Sequence, residues 1–348
     1  MPQEIRAWGT TAKDRPLGPL TIARRDPGPR DVAIEIEHCG VCHSDIHQAR
    51  DEWGGSLYPM VPGHEIVGRV TALGSEVRRF SIGQRVGVGC IVASCRHCGP
   101  CDMGLEQHCD AGAALTYNGT EMDRKTPTFG GYSRHVVVDE HFVLRVAESL
   151  DPAAAAPLLC AGITTYAPLR DHGVTKGHRV GVVGLGGLGH MGVKLARSLG
   201  AEVVVLSTSA TKEADARRLG AHDFVVTKDP AAMKRARGLD LVLDTVSATH
   251  DYAPYLALLR PRGTMVLVGA PTAPAPLHAF SLIGGNKRLA GSMIGGMAQT
   301  QEMLDHCAAH GIVSDIERIA IDQINDAYER VLRSDVRYRF VIDMASLA

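Results

Sequence analysis

The chain has 348 residues, of which 45% are hydrophobic and 22% are charged, a composition typical of a soluble globular protein of about two domains. Its 37 Lys and Arg residues nearly balance its 38 Asp and Glu residues, so a net charge of -1 makes nucleic acid and anionic membranes poor candidate partners. No apolar run reaches the roughly 18 residues that a membrane-spanning helix needs, and the first residues contain no apolar signal core. We therefore expect a cytoplasmic protein.

Hydrophobic periodicity divides the chain into two kinds of region. Short β-type runs between residues 32 and 140 are separated by Gly, Pro and polar clusters, which predicts an irregular, strand-rich unit. From about residue 175, apolar runs alternate with helical stretches, and this rhythm predicts a parallel sheet. Strands are predicted at 32–36, 66–71, 85–88, 133–138, 179–183, 203–206, 224–226, 241–243, 265–268, 289–293 and 338–343, and late helices at 299–309 and 323–333.

Four of the nine cysteines lie in one loop with the spacing C-x2-C-x2-C-x7-C. Clustered cysteines in a reducing compartment indicate metal or redox chemistry, and four converging thiolates are the ligand set of a closed, tetrahedral structural zinc site. A bacterial iron–sulfur run would follow its fourth cysteine with proline, whereas Asp110 follows here. A nucleic-acid zinc ribbon or four merely buried cysteines would also account for a cluster of this kind. The spacing favours structural zinc at Cys95, Cys98, Cys101 and Cys109.

Three further candidate ligands, Cys42, His64 and Cys160, are far apart in the sequence. Three protein ligands plus an open position are the composition of a catalytic zinc site. Each residue has another interpretation: Cys160 as a small core residue, His64 as a structural histidine, and Cys42 as half of a redox pair with Cys39. Their combination favours the metal site.

A glycine-rich segment follows the predicted strand at 179–183 and begins a helical pattern, which is the context that supports a G-x-G-x-x-G dinucleotide-binding turn. Its glycines would permit a tight turn, close approach of the pyrophosphate and helix–strand packing, with the helix N-terminus facing the phosphates. A glycine run that serves packing alone is the alternative. The segment comprises Gly184, Leu185, Gly186, Gly187, Leu188 and Gly189.

The end of the second strand of this sheet carries no Asp or Glu, the residue that an NAD-specific site places there for the adenosine ribose. Three hydroxyls and a nearby cation could instead bind a 2′-phosphate, so we predict NADP(H). An ordinary polar turn with a solvated lysine is the alternative. The residues concerned are Ser207, Thr208, Ser209 and Lys212.

Together with further motifs, these residues resemble those of a known protein family. The pattern G-H-E-x2-G-x5-G-x2-V and the blocks at 42–47, 157–162 and 291–296 resemble those of the zinc-dependent medium-chain alcohol dehydrogenases over essentially the whole chain. The most similar subgroup is that of bacterial NADP-dependent aldehyde reductases related to cinnamyl alcohol dehydrogenase. The pattern is matched by Gly63, His64, Glu65, Gly68, Gly74 and Val77.

The resemblance implies an α/β fold of two domains. Residues 158–295 would form a Rossmann-type doubly wound parallel sheet that binds NADP(H). Residues 1–157 and 296–348 would form a strand-rich, GroES-like catalytic domain. The family also implies a homodimer through the sixth strand at 290–293, possibly assembled into a tetramer.

The resemblance further implies two zinc ions per chain and a set of catalytic roles. Cys42, His64 and Cys160 would hold the catalytic zinc with Glu65 as a nearby or exchanging ligand, and Asp45 would orient His64. Ser44 would hydrogen-bond the substrate oxygen, and His47 would complete a proton relay through the cofactor ribose. Further implied contacts are Thr164, Val268, Gly269, Ala270, Ser292, Met293, Ile294 and Arg339 with the cofactor, and Trp53, Leu57 and Ile294, with Tyr117 nearby, at the substrate pocket.

Several of these residues have simpler interpretations. Arg339 could be an ordinary solvated arginine, the pocket residues could serve surface or core packing, and Cys39, Cys90 and Cys307 are most simply small buried residues. The function expected is that of an alcohol dehydrogenase (NADP+) that reduces medium-chain or aromatic aldehydes. The alternatives are a narrower cinnamyl-alcohol-type enzyme for aromatic or terpenoid substrates, a zinc-free quinone reductase, and a non-catalytic, metal-stabilised nucleotide-binding module.

Overall fold

A computed structural model describes residues 3–271 and 273–347 of the chain. Its residues form two compact units, the first comprising Met1–Ile163 with Gly295–Ala348 and the second Thr164–Ile294. The domain boundaries predicted at 157/158 and 295/296 lie close to these divisions in the sequence. The first division falls inside a continuous helix, Ala161–Asp171, which a boundary drawn from motifs could not locate.

The first unit begins with a hairpin and continues into the strands of its central sheet. Its strands up to the second unit are β1 Gln3–Gly9, β2 Gly18–Arg24, β3 Asp31–Gly40, β4 Ile66–Leu73, β5 Arg85–Val88, β6 Ile91–Ala93, β7 Ala114–Leu115, β8 Gly119–Thr120, β9 Pro127–Thr128, β10 His135–Asp139 and β11 Leu144–Arg145. The helices are α1 His43–Ala49, α2 Gly99–Asp102 and α3 Pro152–Ala155, and α4 Ala161–Asp171 leads into the second unit.

The second unit alternates strands and helices as the sequence predicts. The elements are β12 Arg179–Val183, α5 Gly189–Ser198, β13 Glu202–Ser207, α6 Glu213–Leu219, β14 Asp223–Val226, α7 Pro230–Arg235, β15 Leu239–Asp244, α8 Ala253–Leu256, β16 Leu259–Leu267, α9 Phe280–Ile283 and β17 Arg288–Gly291. The chain then returns to the first unit with α10 Met297–His310, β18 Ile316–Ile319, α11 Ile324–Leu332 and β19 Arg339–Asp343. Short 3₁₀ helices lie at Glu106–His108, Glu140–Phe142, Ala156–Leu159, Ala210–Lys212, Ile321–Gln323 and Met344–Ser346.

The central sheet of the first unit has the order β11-β5-β4-β3-β19-β18, and β10 also pairs with β3. Strand β3 follows a two-residue period, with Val32, Ile34 and Ile36 buried and Glu35 and Glu37 only partly buried. This alternation fixes the register of β3, and its last residues bring the chain to Cys42.

The six strands of the second unit form one parallel sheet in the order β14-β13-β12-β15-β16-β17. Counted from β12, this is the order 3-2-1-4-5-6 of a Rossmann-type fold, and the predicted parallel sheet is confirmed. Because helices cover both faces of such a sheet, its strands form near-continuous buried runs, as the valines of β13 do.

Two predicted strands end earlier than their apolar patterns indicate. The strand predicted at 265–268 includes Val268, but β16 ends at Leu267. The N–H groups of Val268 and Gly269 both donate to the carbonyl of Asp244, so the regular pairing stops there. The predicted strand at 289–293 extends only to Gly291, where the β16–β17 pairing stops. Within residues 3–271 and 273–347, none of the helices has the length and apolar character needed to cross a membrane.

Glu106 fixes the start of α10 in the first unit from a distant part of the chain. Its buried carboxylate accepts hydrogen bonds from the backbone N–H of Met297 at 3.0 Å and from His141 Nε2 at 3.0 Å. The N-cap residue of α10 is Gly296, which has no side chain that could accept a hydrogen bond from the N–H groups of this helix end. Glu106 therefore supplies the capping interaction that this helix end otherwise lacks.

We predict that Glu106→Ala lowers the free energy of unfolding by about 1–3 kcal/mol, because it leaves the buried N–H of Met297 without an acceptor. Urea denaturation measures the change. Glu148→Ala is the control, since the Glu148 side chain is 63% exposed where it pairs with Arg69 and with the more buried Arg85, and its loss should have a smaller effect. Equal losses in the two variants would contradict the capping role.

The destabilisation caused by Glu106→Ala should disappear at acidic pH. Burial alone would raise the pKa of Glu106, but the hydrogen bonds from His141 and the backbone of Met297 hold this pKa below the ordinary value of 4.5. A carboxylate whose pKa is lowered by folding stabilises the protein above its unfolded pKa and loses this contribution as the pH falls through its folded pKa. The difference between wild type and Glu106→Ala should therefore shrink below pH 4.5 in denaturation curves.

Candidate active site and metal centres

The four cysteines of the loop converge on one point in the first unit. The Sγ atoms of Cys95, Cys98, Cys101 and Cys109 all lie within 4.8 Å of one another, and those of Cys98 and Cys109 are 4.0 Å apart. A tetrahedral zinc with Zn–S bonds of about 2.3 Å would set its sulfur atoms about 3.8 Å apart. The spacing therefore fits a zinc ion without rearrangement of the loop.

Backbone N–H groups in this loop favour the thiolate form that binds metal. Cys95 N lies 3.3 Å from Cys109 Sγ, and Asp110 N lies 3.4 Å from Cys98 Sγ. The N–H groups of Cys101 and Asp110 lower the pKa of Cys98 to about 7. About half of the Cys98 side chains are therefore in the thiolate form at neutral pH, the form that binds zinc.

The second cluster joins three segments of the first unit that are distant in sequence. Cys42 caps the N-terminus of α1 directly after β3, and His64 lies in the segment that enters β4. The apolar sequence around Cys160 predicts a helical position for it, but Cys160 lies between the 3₁₀ helix Ala156–Leu159 and α4, so this prediction is wrong. In one continuous helix the spacing of four residues would put Thr164 on the same face as Cys160, and this argument does not apply because Cys160 precedes the helix.

The ligand atoms of this cluster also match the geometry of zinc. The donor atoms of Cys42, His64, Glu65 and Cys160 lie within 4.8 Å of one another, all four residues are buried, and the two Sγ atoms are 3.9 Å apart. The hydrogen bond from Cys160, with the positive charge of Arg339, lowers the pKa of Cys42 well below its ordinary value. Two sulfur atoms at this separation beside a histidine fit a zinc ion.

Glu65 lies beside these ligands and is held by a cation. Burial raises the pKa of Glu65 to about 7, while the charge of Arg339 opposes this rise. One carboxylate oxygen, Oε1, pairs with Arg339, whereas Oε2 is buried with no hydrogen-bond partner among the described residues. A buried oxygen without a partner is costly unless a bound group satisfies it, which is consistent with Glu65 as a nearby ligand.

Asp45 is fully buried beneath His64 and accepts hydrogen bonds on both oxygens. Its Oδ1 lies 3.2 Å from His64 Nδ1 and 3.2 Å from the N–H of Gly63, and its Oδ2 accepts from the N–H of Cys42 at 2.8 Å. With Nδ1 as the donor to this carboxylate, Nε2 of the imidazole is left free for a metal.

Ser44 and His47 both belong to α1, which follows the ligand Cys42. Cys42 Sγ lies 3.6 Å from Ser44 Oγ. The His47 ring stacks on His43 with a centroid separation of 4.8 Å and lies tilted against Trp53 at 4.7 Å, and its Nδ1 is hydrogen-bonded to Glu52. The sequence reading missed Glu52, because no motif links it to His47 and the turn after α1 alone brings the two together.

The residues predicted for the substrate pocket differ in their exposure to solvent. Trp53 and Leu57 are exposed by 45% and 52%, whereas Tyr117 is buried and stacks on His64 with a centroid separation of 5.8 Å. Ile294 has a φ of +43°, a left-handed conformation that costs a β-branched residue energy and is found at functional sites.

In the second unit, the glycine-rich turn joins β12 to α5 as predicted. Gly184 has a φ of +84°, and a Cβ at Gly189 would lie 2.1 Å from the carbonyl oxygen of Gly184, so neither position admits a side chain. A Cβ at Gly186 would meet nothing within 4 Å. Open space at the middle glycine is what the close approach of a pyrophosphate requires.

The predicted phosphate-binding residues follow β13, the strand beside β12. Lys212 Nζ donates to the carbonyl of Leu185 at 2.8 Å, which places this ammonium group on the glycine-rich turn. Ser209 Oγ lies 2.8 Å from Thr211 Oγ1, and Ser207 ends the strand. Hydroxyls and a cation thus gather at the carboxyl end of the sheet beside the turn.

Asp244 at the end of β15 is a further residue that the sequence reading missed. Its carbonyl accepts from the N–H groups of Val268 and Gly269, and its carboxylate accepts from the N–H of Val246 at 3.2 Å and lies 3.0 Å from His250 Nε2. The side chain of Val246 in turn packs against the glycine-rich turn, since a Cβ at Gly184 would lie 2.8 Å from Val246 Cγ2. Asp244 therefore organises two segments next to the predicted cofactor residues.

Arg339 and three cysteines have surroundings that the sequence left open. Arg339 is buried against Glu65, so the alternative of a solvated arginine is wrong. Cys39 and Cys307 are buried, whereas Cys90 is only partly buried, with its Sγ 3.8 Å from the carbonyl of Leu159.

Comparison with known proteins gives the family. The model of the alcohol dehydrogenase GroES-like domain matches residues 28–148, and that of the zinc-binding dehydrogenases matches residues 187–309. The chain belongs to the zinc-binding alcohol dehydrogenases. This membership confirms the predicted GroES-like and Rossmann-type architecture and the resemblance noted from the motifs.

The similarity of this zinc-binding alcohol dehydrogenase to known proteins extends over almost its whole length. It is 53% identical over 348 residues to aldehyde reductase YahK of Escherichia coli, with 99% of each chain covered. It is 54% identical over 344 residues to NADP-dependent alcohol dehydrogenase C of Mycobacterium bovis, again with 99% of each chain covered. A solved cinnamyl alcohol dehydrogenase of Sorghum bicolor is 46% identical with a TM-score of 0.95, covering 99% of this chain and 98% of that chain.

The two metal clusters predict different consequences for two similar substitutions. Cys160→Ser removes a ligand of the buried Cys42–His64–Cys160 cluster, so zinc content should fall from about two ions per chain to about one and turnover should fall to background, with nucleotide binding retained. Cys109→Ser in the four-cysteine loop should also remove one ion but mainly lower the melting temperature. Elemental analysis, a nucleotide-binding titration and thermal denaturation measure these effects. The reverse result, with lost turnover in Cys109→Ser and mainly lost stability in Cys160→Ser, would mean that the catalytic and structural roles belong to the opposite clusters.

Proposed function

We propose that this zinc-binding alcohol dehydrogenase works mainly as an NADPH-dependent reductase of medium-chain or aromatic aldehydes. The observation that carries the proposal is the buried group Cys42, His64 and Cys160, whose sulfur separation of 3.9 Å suits zinc. A same-fold quinone reductase without zinc has no need of these three residues. Ser44 and His47 beside the cluster argue against a non-catalytic nucleotide-binding module.

Each bound group supplies one part of the chemistry. Zinc held by Cys42, His64 and Cys160 would act as a Lewis acid that polarises the aldehyde carbonyl. NADPH on the second unit would supply the hydride, so that aldehyde, NADPH and a proton give alcohol and NADP+.

The residues of α1 would manage the proton. Ser44 would donate a hydrogen bond and then a proton to the substrate oxygen, and His47 would return a proton from solvent. Glu52 orients the His47 ring through Nδ1, and the adjacent rings of His43 and Trp53 limit its rotation. In alcohol oxidation the same residues would carry the proton in the opposite direction.

An NADPH-oxidation screen over aliphatic, aromatic and terpenoid aldehydes tests this function. We expect turnover with medium-chain and aromatic aldehydes. Turnover confined to cinnamyl-type or terpenoid aldehydes would instead favour the narrower enzyme, to which the similarity with the Sorghum bicolor cinnamyl alcohol dehydrogenase gives support. Zinc-replete protein that reduces no aldehyde with either NADPH or NADH would contradict the proposal.

The preference for NADP(H) rests on the residues after β13. The described segment 207–212 offers hydroxyls and Lys212 and contains no carboxylate that would repel a 2′-phosphate. The name of the Mycobacterium bovis relative, an NADP-dependent alcohol dehydrogenase, supports the same preference. Arg339 is proposed to contribute to pyrophosphate binding, and Thr164, Val268 to Ala270 and Ser292 to Ile294 to contact the nicotinamide half.

Lys212→Ala should weaken NADPH binding about 10–100-fold, the effect of losing one charge-assisted hydrogen bond, and leave NADH binding nearly unchanged. Fluorescence titration with the two nucleotides measures both constants. Lys228→Ala, which removes an exposed lysine of the same unit, is the matched control. Equal weakening of NADPH and NADH binding would contradict a contact with the 2′-phosphate.

We also propose a homodimer that forms through the edge strand β17. Among the described residues this strand pairs only with β16, and large apolar side chains close to it in the sequence are exposed: Phe280 by 69%, Ile283 by 61% and Met293 by 51%. An apolar sheet edge is an aggregation hazard unless something covers it, and a second copy related by twofold symmetry would pair the free edge with itself.

Ile283→Asp should convert the dimer to a monomer, because it places a charge in a desolvated apolar contact. Light scattering coupled to size-exclusion chromatography measures the mass. Ile82→Asp is the control, since Ile82 is an isoleucine of the first unit that is similarly exposed, by 71%. A monomeric wild type, or a dimeric Ile283→Asp variant, would contradict this interface, and a wild-type mass of four chains would indicate a tetramer.

A cytoplasmic location is proposed from the cysteines. All nine are free of disulfides in the described chain, as expected in a reducing compartment. Recovery in a periplasmic or membrane fraction of cells would contradict it.

A further inference from the structure

The carboxylate of Asp45 depends on more than the zinc-ligand segments. Besides His64, Gly63 and Cys42, it accepts a hydrogen bond from the phenol of Tyr132, whose OH lies 3.2 Å from Oδ2. Asp45 is 0% exposed, so no water replaces a lost donor from the surface. A buried charged carboxylate needs each of its donors, and the loss of one costs more than the loss of a surface hydrogen bond.

Tyr132 is also packed against the segment that carries His64. Its backbone N–H donates to the carbonyl of Pro62 at 3.0 Å, and a Cβ at Gly63 would lie 2.7 Å from Tyr132 Cδ1. Gly63 has a φ of +103°, so the chain makes its turn before His64 directly on the tyrosine ring. Tyr132 therefore touches both the carboxylate that orients His64 and the backbone that delivers it.

Two neighbouring tyrosines lack this pair of contacts. The hydroxyls of Tyr117 and Tyr328 are buried near the same groups, so that burial and Asp45 raise the pKa of Tyr117, and Tyr328 interacts with Tyr132. Neither hydroxyl makes a hydrogen bond of normal geometry to a described residue, and the ring of Tyr117 stacks on His64. The donor that reaches Asp45 at hydrogen-bonding distance is the phenol of Tyr132.

We propose that Tyr132 is a positioning residue for zinc at the Cys42–His64–Cys160 cluster, acting through Asp45. The phenol holds Oδ2 so that Oδ1 stays in line with Nδ1 of His64, which keeps the imidazole tautomer and ring plane suited to the metal. Without the phenol, Asp45 rotates toward its remaining donors and the His64 ring gains freedom. The proposal rests on the assignment of zinc to this cluster.

Tyr132→Phe tests the proposal, with zinc release to a chromophoric chelator as the readout. Loss of a direct hydrogen-bond partner of a ligand weakens metal binding about 10–100-fold, and Tyr132 acts one residue further away, so release from one site should accelerate by about threefold to tenfold. The other site should release zinc at the wild-type rate. Tyr58→Phe is the control, because it deletes a phenol that donates to the carbonyl of Ala49 at 2.9 Å, away from the cluster.

A second readout separates positioning from a general loss of stability. Cobalt substituted at the catalytic cluster should show a shifted visible absorption band in Tyr132→Phe and an unshifted band in Tyr58→Phe. Wild-type release rates and an unshifted band in Tyr132→Phe would overturn the proposal, as would equal acceleration at both metal sites. If wild-type protein binds a single zinc ion that Cys109→Ser removes, the assignment of zinc to the cluster fails instead.

Discussion

Buried negative charge around one histidine is the constraint on which the first unit depends. Cys42, Cys160, Glu65 and Asp45 are all buried, and each ionised group removed from water costs several kcal/mol unless it is paired. Arg339 provides one compensating charge within the protein. A divalent cation among the thiols would provide two more, and Asp45 is satisfied by its hydrogen bonds, so metal binding and the folding of this region are linked.

In the second unit the corresponding constraint is steric. Val246, in the segment after β15, leaves no room for a side chain at Gly184, and the carbonyl of Gly184 leaves none at Gly189. Asp244 keeps the facing segment in place through its carbonyl and carboxylate. The phosphate-binding end of the sheet is thus built by close backbone contact, while the metal-binding unit is built by charge compensation.

Features that depend on local spacing could be predicted from the sequence. The four loop cysteines and the glycine-rich turn lie within short segments, and the alternation of valine-rich runs with helical patterns predicts the parallel sheet. Contacts made by tertiary structure could not be predicted in this way. Glu106, Tyr132 and Asp244 belong to no motif and acquire their roles only when distant segments meet. The predicted strand ends also differ from the structure, because Val268 and Met293 are apolar residues that lie beyond the last paired residues of their strands.

The pairing of β3 with β19 has a consequence for the order in which the molecule can be assembled. Gly40, just before Cys42, pairs with Val341, and the whole second unit lies between them in the sequence. During translation the ribosome therefore delivers residues 164–294 before the strand that completes the sheet. Glu65 gains its guanidinium partner Arg339 only at that stage, so the buried thiols and Glu65 lack this compensating charge until the chain is almost complete.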